Sequence, residues 1–384
     1  MRHPVSLPAF AAAIAATALT AGGGRAAAPE PIVIGMVAPL TGTLSAVGTG
    51  HRVGAEMAVR ELNRRGGIRG RRVVLRLFDD GSSPTQGVIR MHELAADSNV
   101  VAMLGSGFGG TALASAPIAT RARLPYMSVV PLHSLVYPPR KYVYTVAHTT
   151  RLVAYKLAAH LRKAGVRKIA LLHDNGALPS EGARVVKELA PRYGLEIVVE
   201  REFPQTSTTL VAELVRVKNS EAQALWLWNT NQAVTITKEF RQLRLPQRLI
   251  LTSGNATPLY LRPVCPDANG ATLASQWATV ARHLPDSNPS KAVTLRLDRV
   301  LGKDANVFSY GGWTGVMMLA DAMRRGAVTR GAVNRQLERL VFVGPTGIHR
   351  FSRRRHDGLS SRSLVVSTIR KCRLVPVPGQ DLGG

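Results

Sequence analysis

Acidic residues are scarce in this chain: 24 Asp and Glu stand against 50 Lys and Arg, a formal charge of +26 over 384 residues. An excess of that size invites a nucleic-acid reading, but the placement of the cations argues against it. They fall singly and in pairs along the whole length, the densest runs being Arg69-Gly70-Arg71-Arg72 and Arg353-Arg354-Arg355. Aromatic residues are only 5% of the chain, and none interleaves with those runs as a base-stacking platform requires. No nucleic-acid partner is expected, and the basic field fits an anionic ligand or an acidic partner instead. Cysteine is nearly absent. Cys265 and Cys372 are free to pair in an oxidising compartment, but nothing in the sequence fixes their separation in space, so the pairing stays open. Beyond the N-terminal stretch no apolar run of about 18 residues occurs, so no membrane span is expected. The ten histidines form no H-E-x-x-H and no i, i+4 pair flanking an acid, which leaves a zinc site without support. A G-x-S-x-G elbow is also missing.

What the chain does carry begins at its N-terminus. Arg2, an Ala-rich apolar stretch over 7–19 and the exit Gly24-Arg25-Ala26-Ala27-Ala28 form the pattern of a secretory signal peptide, expected over 1–28. Cleavage is expected after Ala26, because a cut after Ala28 would leave Pro29 just past it. No cysteine lies near the leader's end, so a lipoprotein anchor is not indicated. A soluble protein exported to the periplasm is the expectation. The remaining residues exceed one typical core, and 45% hydrophobic with 19% charged residues is a globular composition.

Short apolar runs alternate with helical periodicity, the cadence of parallel βα units. Strands are expected at 32–37, 73–78, 100–104 and 126–130, with helices at 53–65, 83–96 and 111–122. The cadence then repeats. Strands at 168–172, 196–200, 224–228 and 249–252 alternate with helices at 151–164, 181–193, 210–218 and 234–243. Two similar α/β lobes in series explain the spacing. Beyond about 270, helices at 291–301, 313–325 and 332–340 and a late strand at 364–367 form a tail that caps one lobe or returns to the first.

The residues in this frame match a known pattern. It runs from Ile34-Gly35 through Pro39-Leu40-Thr41-Gly42, then Gly54-Ala55 to Glu61-Leu62-Asn63 and Gly66-Gly67-Ile68-Arg69-Gly70. Asp79-Asp80, the stretches 104–111 and 171–174, and Gly344-Pro345-Thr346-Gly347 with Phe351 and Gly358 continue it. In their order and spacing, over roughly 31–370, the chain resembles the periplasmic solute-binding proteins of the branched-chain amino-acid (Leu/Ile/Val-binding) family of ABC importers. The resemblance implies an α/β type I clamshell, two doubly wound parallel-sheet lobes joined by a three-strand hinge. Lobe one would hold 29–147 and 277–350, and lobe two 148–276 and 351–384. It further implies capture of a small molecule (an amino acid, an amide or a small or aromatic carboxylate) by hinge closure, a permease of the inner membrane as partner, a monomer, no cofactor and no catalysis. The same clamshell could instead serve as a ligand-sensing receptor acting on a signalling partner.

Loops after the carboxyl ends of parallel strands face the crevice of an open α/β sheet, where helix N-termini favour a carboxylate. The segment Gly105-Ser106-Gly107-Phe108-Gly109-Gly110-Thr111 fits that role, following a strand and preceding a helix with little side-chain bulk. Phe108, Gly109, Gly110 and Thr111 are therefore ligand-binding candidates. The segment also matches G-x-G-x-x-G, but a dinucleotide site wants an acid about twenty residues on. No Asp or Glu lies between Thr111 and Arg151. Family positions add Thr43, Ser45 and Val47 from the first loop, and Ser128, Val130 and Pro131 after the fourth strand. From lobe two they add Asn175, Leu178, Asn229, Asn231, Ser253 and Asn255.

The departures from the family pattern bear on the ligand. Amino-acid binders of the family usually place an aromatic after the His-Asp strand end, where this chain has Gly176-Ala177-Leu178-Pro179-Ser180. They commonly place an acid after lobe two's last strand, where this chain has Thr252-Ser253-Gly254-Asn255-Ala256. An ammonium buried among neutral partners is costly. The expected ligand therefore lacks a free α-ammonium: a small carboxylate, an amide or an aromatic acid. His173-Asp174 reads as a capped strand end, and Asp79-Asp80 as turn chemistry, not an acid/base pair.

Overall fold

The computed structural model describes Met1, residues 29–229 and residues 231–383. Apart from Met1, the expected signal peptide lies outside the described residues. Five parallel strands form the first sheet: β1 (Ile32–Ala38), β2 (Val73–Asp79), β3 (Val100–Gly105), β4 (Tyr126–Ser128) and β5 (Val143–Thr145), in the order β2-β1-β3-β4-β5. Between them run α1 (Ser45–Arg64), α2 (Pro84–Ala96), α3 (Gly109–Arg121) and the short α4 (His133–Val136). Every residue of β1 is buried, as a strand covered on both faces must be. Ile32, Ile34 and Met36 share one core, while Val33 and Val37 enter the other beside Met91 of α2 and Ala112 and Ala116 of α3.

The second body repeats the winding with α5 (Thr150–Lys163), β6 (Lys168–Asp174), α6 (Ala177–Leu189), β7 (Glu196–Phe203), α7 (Val211–Lys218), β8 (Ala224–Trp228), α8 (Ala233–Gln242), β9 (Arg248–Leu251), α9 (Pro258–Val264) and β10 (Thr272–Gln276). The tail supplies α10 (Pro289–Leu301), α11 (Val307–Arg325), α12 (Arg330–Leu337), the hairpin β11 (Val341–Gly344) and β12 (Gly347–Arg350), and strands β13 (Leu364–Arg370) and β14 (Arg373–Pro376). Its sheet runs β14-β13-β10-β9-β8-β6-β7, with β13 antiparallel to both β10 and β14.

Side chains of α10, α11 and α12, among them Leu297, Trp313, Met318 and Leu337, join the core of the first sheet, so the helical tail returns to it. The stretch around 277–284 is shared: Ala278 packs in the first core, and Trp277, Val280 and Leu284 in the second. Arg330, opening α12, donates to the carbonyls of Ala95 and Asp97 at the end of α2 and of Ala122 at the end of α3. It ties the carboxyl ends of both helices to the start of α12. Cys265 and Cys372 form a disulfide, their Cα atoms 5.5 Å apart, tying the end of α9 to the β13–β14 turn.

The first helix starts two turns earlier than its apolar pattern predicts, because glycines broke the periodicity. Gly48 and Gly54 are there for close approach. A β-carbon at Gly54 would lie 1.9 Å from the Ser309 carbonyl of α11, and one at Gly48 would lie 2.0 Å from the Pro39 carbonyl. The expected 313 start of the penultimate long helix also moves, to 307. There Asn306 and Ser309 form a reciprocal capping box whose residue types pass for a loop.

Candidate functional site

A cavity of about 150 Å³ opens where the carboxyl ends of β3, β4, β6, β8 and β9 meet, at the crevice position expected of doubly wound sheets. Larger hollows of about 490 and 660 Å³ lie elsewhere, one between 256–261 and 372–374 and one along α1 and α10. Neither gathers strand ends from both sheets.

The crevice loops are held by a polar frame. Asp79 accepts from the amides of Leu40 and Thr41 and from the Thr41 hydroxyl, fixing the loop after β1. Desolvation opposes its charge, but those bonds and the Gly81 amide outweigh it and hold its pKa below the usual carboxylate range. Asp80 is fully buried and accepts from Ser106 Oγ at 2.5 Å. Burial raises its pKa against the pull of its hydroxyl partners. Ser106 Oγ in turn accepts from the Phe108 amide at 3.1 Å. The pair Asp79-Asp80 thus builds loops, as its sequence context indicates. Gly105 sits at φ +133°, where a β-carbon would lie 2.0 Å from the Val37 carbonyl, so the turn into the Gly-rich loop requires glycine.

Two helix N-termini converge here. Neither α3, starting at Gly109, nor α6, starting at Ala177, has a side-chain cap or an acid in its first turn. A β-carbon built on Gly109 would stand 3.6 Å from the Leu178 amide nitrogen and 3.5 Å from the Ala177 β-carbon. The unpaired amides and positive dipole ends of two helices, one from each body, therefore face one small space. Nearby, Glu181 of α6 reaches across the crevice and accepts from the His133 and Ser134 amides at 2.6 and 2.9 Å, capping α4, and from the Thr150 hydroxyl.

The walls are apolar and aromatic. Leu44, Val47, Phe108, Val130, Leu178, Trp228 and Phe308 all line the cavity. Trp228 ends β8 and lies flat on α6 over Gly182, where a β-carbon would meet the indole at 2.3 Å. The polar groups are Gln205, Asn229, Thr252, Ser253, Asn255 and His51, and among the described residues no Asp, Glu, Lys or Arg lines the space. Burial pushes the His51 pKa down to about 3, so at neutral pH the lining carries no charge.

Of the residues expected from sequence, Val47, Phe108, Gly109, Val130, Pro131, Leu178, Asn229, Ser253 and Asn255 line the cavity. Thr43, Ser45, Gly110, Thr111, Ser128, Asn175 and Asn231 do not. The first loop supplied alternate residues, Thr43, Ser45 and Val47, by their family positions. It is helical from Ser45, so residues three and four apart, Leu44, Val47 and His51, face inward, while Thr43 is exposed and Ser45 half-buried. The same helical phase turns Gly110 toward Pro84 and Thr111 against Gly87 of α2. Ser128 is spent on the Val130 amide, and Asn175 accepts from the Gln205 amide. Asn231 is exposed. With its amide oriented by its partners, Asn229 accepts from the Gln232 and Ala233 amides at 3.2 and 3.0 Å, capping α8. Sequence reasoning missed Leu44, His51, Trp228 and Phe308. An aromatic closing a central strand was a readable signal for Trp228; His51 and Phe308 required the helix starts to be placed correctly.

Residues 31–371 match the family described as periplasmic binding protein. Among curated relatives, the Leu/Ile/Val-binding protein homolog 3 of Brucella melitensis is 44% identical over 75 residues, 20% of each chain. Homolog 7 of the same organism is 25% identical over 223 residues, 56% of this chain and 55% of the relative. The matched stretches thus span a fifth to about half of these relatives' length. Among solved structures, an extracellular ligand-binding receptor from Rhodopseudomonas palustris HaA2 superposes with a TM-score of 0.83 at 21% identity, over 90% of this chain and 99% of that one. The branched-chain amino acid transporter substrate binding protein LivJ of Streptococcus pneumoniae, in complex with isoleucine, gives 0.79 at 21% identity, over 90% and 97%. The expected type I clamshell is the fold of these neighbours.

Proposed function

The chain belongs to the periplasmic binding protein family, a family of solute binders and not enzymes, and on that premise we propose that it captures a small apolar or aromatic carboxylate lacking a free α-ammonium. It serves as the extracytoplasmic component of an ABC importer. One observation carries the ligand assignment: two uncapped helix N-termini face the cavity while, among the described residues, no acidic side chain lines it. A carboxylate gains amide donors and two favourable dipoles there. Isoleucine, the ligand of the LivJ complex, carries an ammonium that nothing lining this cavity would neutralise, and burying such a charge unpaired is costly. A cavity of about 150 Å³ is the size that accepts a single aromatic ring.

In this reading 29–147 with 277–350 is one lobe and 148–276 with 351–384 the other, delivered to the periplasm by the 1–28 leader as a monomer. The α3 amides belong to one lobe and the α6 amides to the other, so a carboxylate between them binds the closed form better than the open one. That difference alone drives closure. An inner-membrane permease would then receive the closed form. A thermal-shift screen of the leaderless protein over amino acids, aliphatic acids, aromatic acids and amides tests the assignment. The acids should raise the midpoint; stabilisation by leucine or valine with every acid silent would contradict it. Uptake of the identified ligand should fall in a deletion strain.

A further inference from the structure

Beside the main cavity lies an annexe of about 70 Å³ that shares His51, Val129, Pro131, Ser253, Gly254 and Phe308 with it. Three residues from separate parts of the chain line it and each carries a buried polar atom with no protein partner: Nδ1 of His51 on α1, Nδ1 of His148 before α5, and Oε1 of Gln276 at the end of β10. A buried unpaired polar atom is expensive, and native structures carry few of them without a ligand or water to meet them. His51 is 3% exposed. Its ring is held edge-on by Phe308, with centroids 5.4 Å apart, and two glycines leave it room. A β-carbon at Gly107 would lie 3.0 Å from its Nδ1, and one at Gly311 would lie 3.6 Å from its Nε2. The other imidazole is committed on one side, His148 Nε2 standing 2.8 Å from Ser363 Oγ.

The chemistry of this set is selective. Gln276 Oε1 accepts, so in this orientation it asks for a donor. A neutral imidazole presents either one N–H or one lone pair at each nitrogen. A hydroxyl, which donates once and accepts as well, satisfies both kinds of partner. We propose that the annexe selects a hydroxylated ligand. Its carboxylate lies at the α3 and α6 amides, its ring or chain in the main cavity and its hydroxyl in the annexe, with His51 the specificity-determining residue. This deepens the carboxylate reading and rests on it.

Calorimetry of the leaderless protein with two matched pairs, benzoate against 4-hydroxybenzoate and pentanoate against 5-hydroxypentanoate, tests it. At least one hydroxylated acid should bind about tenfold or more tightly than its parent, as expected for one hydrogen bond to a group otherwise left unpaired. His51→Leu should bring the ratio of the two affinities to about one, whatever it does to either affinity alone, and His51→Asn should keep part of the preference. If His51→Leu does not fold, the wild-type pairs still decide. The ¹⁵N shift of His51 Nδ1 should then move with the hydroxylated acid and not with its parent. Parent acids binding as well as their hydroxylated partners, or a preference that survives in His51→Leu, overturns this inference and leaves the carboxylate reading standing. Failure of all four acids to bind overturns both.

Discussion

Replacing Gly109 by Asp should give the protein its own imitation of the ligand. The first residue of α3 has no side chain, and a β-carbon there would meet only ordinary contacts, the nearest at 3.5 Å. The added carboxylate would reach toward the Leu178 amide, 3.6 Å from that β-carbon, in the space between two uncapped helix starts. A hydrogen bond to a charged group contributes about 1.5–3 kcal/mol and a helix dipole up to about 2 kcal/mol in a partly buried site. A net gain of about 2 kcal/mol for the closed form shifts the open–closed equilibrium roughly thirtyfold without ligand. An incoming carboxylate would then meet a fixed negative charge. At about 4 Å and an effective dielectric near 20, that repulsion is about 4 kcal/mol. Gly109→Asp should therefore lower affinity for carboxylate ligands at least a hundredfold by calorimetry, while small-angle scattering of the free protein moves toward the compact form. Gly109→Asn, equal in size but neutral, should cost less than tenfold. Carboxylate binding by Gly109→Asp within threefold of wild type would refute the helix-terminus argument.

Three further outcomes follow from named contacts. Glu181→Gln weakens the bonds from the His133 and Ser134 amides that bridge the crevice. Charged acceptors exceed neutral ones by about 1 kcal/mol, so ligand affinity should drop by roughly fivefold or more; an unchanged dissociation constant would exclude a role in closure. Gly182→Ala puts a methyl 2.3 Å from the Trp228 ring, and overpacking of this kind costs about 1–3 kcal/mol. Both the melting midpoint and ligand affinity should fall, and a variant with wild-type values would show that the indole is not fixed as described. Burial lowers the pKa values of His51, His148 and His349 to about 3. Because these groups stay neutral in the folded state, the unfolded chain binds more protons below about pH 6.5. Their stabilising contribution is complete above that pH and is lost as the pH falls toward 3. Each histidine should account for about 1.4 kcal/mol between pH 7.5 and 5.5, and denaturant titrations showing equal stability at the two values would disprove the burial argument.

How legible the fold was depended on where glycine fell. The strands starting at 32, 73, 100, 168, 196 and 224 were readable because their apolar runs are dense and bounded by turn residues. The starts of α1 and α11 were not, because Gly48, Gly54 and Gly312 serve close backbone approach and resemble loop residues in one dimension. The site depends on the first of these starts: the family positions of the first loop named Thr43, Ser45 and Val47, whereas the helical phase presents Leu44, Val47 and His51 to the cavity. The short strands β5, β10 and β14 were missed because three to five residues, pinned by neighbours far away in sequence, carry no period of their own. The crevice candidates after β3, β4, β6, β8 and β9 were more accessible, since strand order alone points to those loops. The missing acid after β9 was visible in sequence, but the lack of any acidic replacement around the cavity became visible only in three dimensions.

The most direct test compares leucine with 4-methylpentanoate, the same side chain and carboxylate without the ammonium, in parallel calorimetric titrations of the leaderless protein. An uncharged cavity closed by two helix N-termini should bind 4-methylpentanoate the more tightly of the two. Tight binding of leucine with 4-methylpentanoate silent would mean that the site holds a partner for the ammonium, and would contradict the central claim.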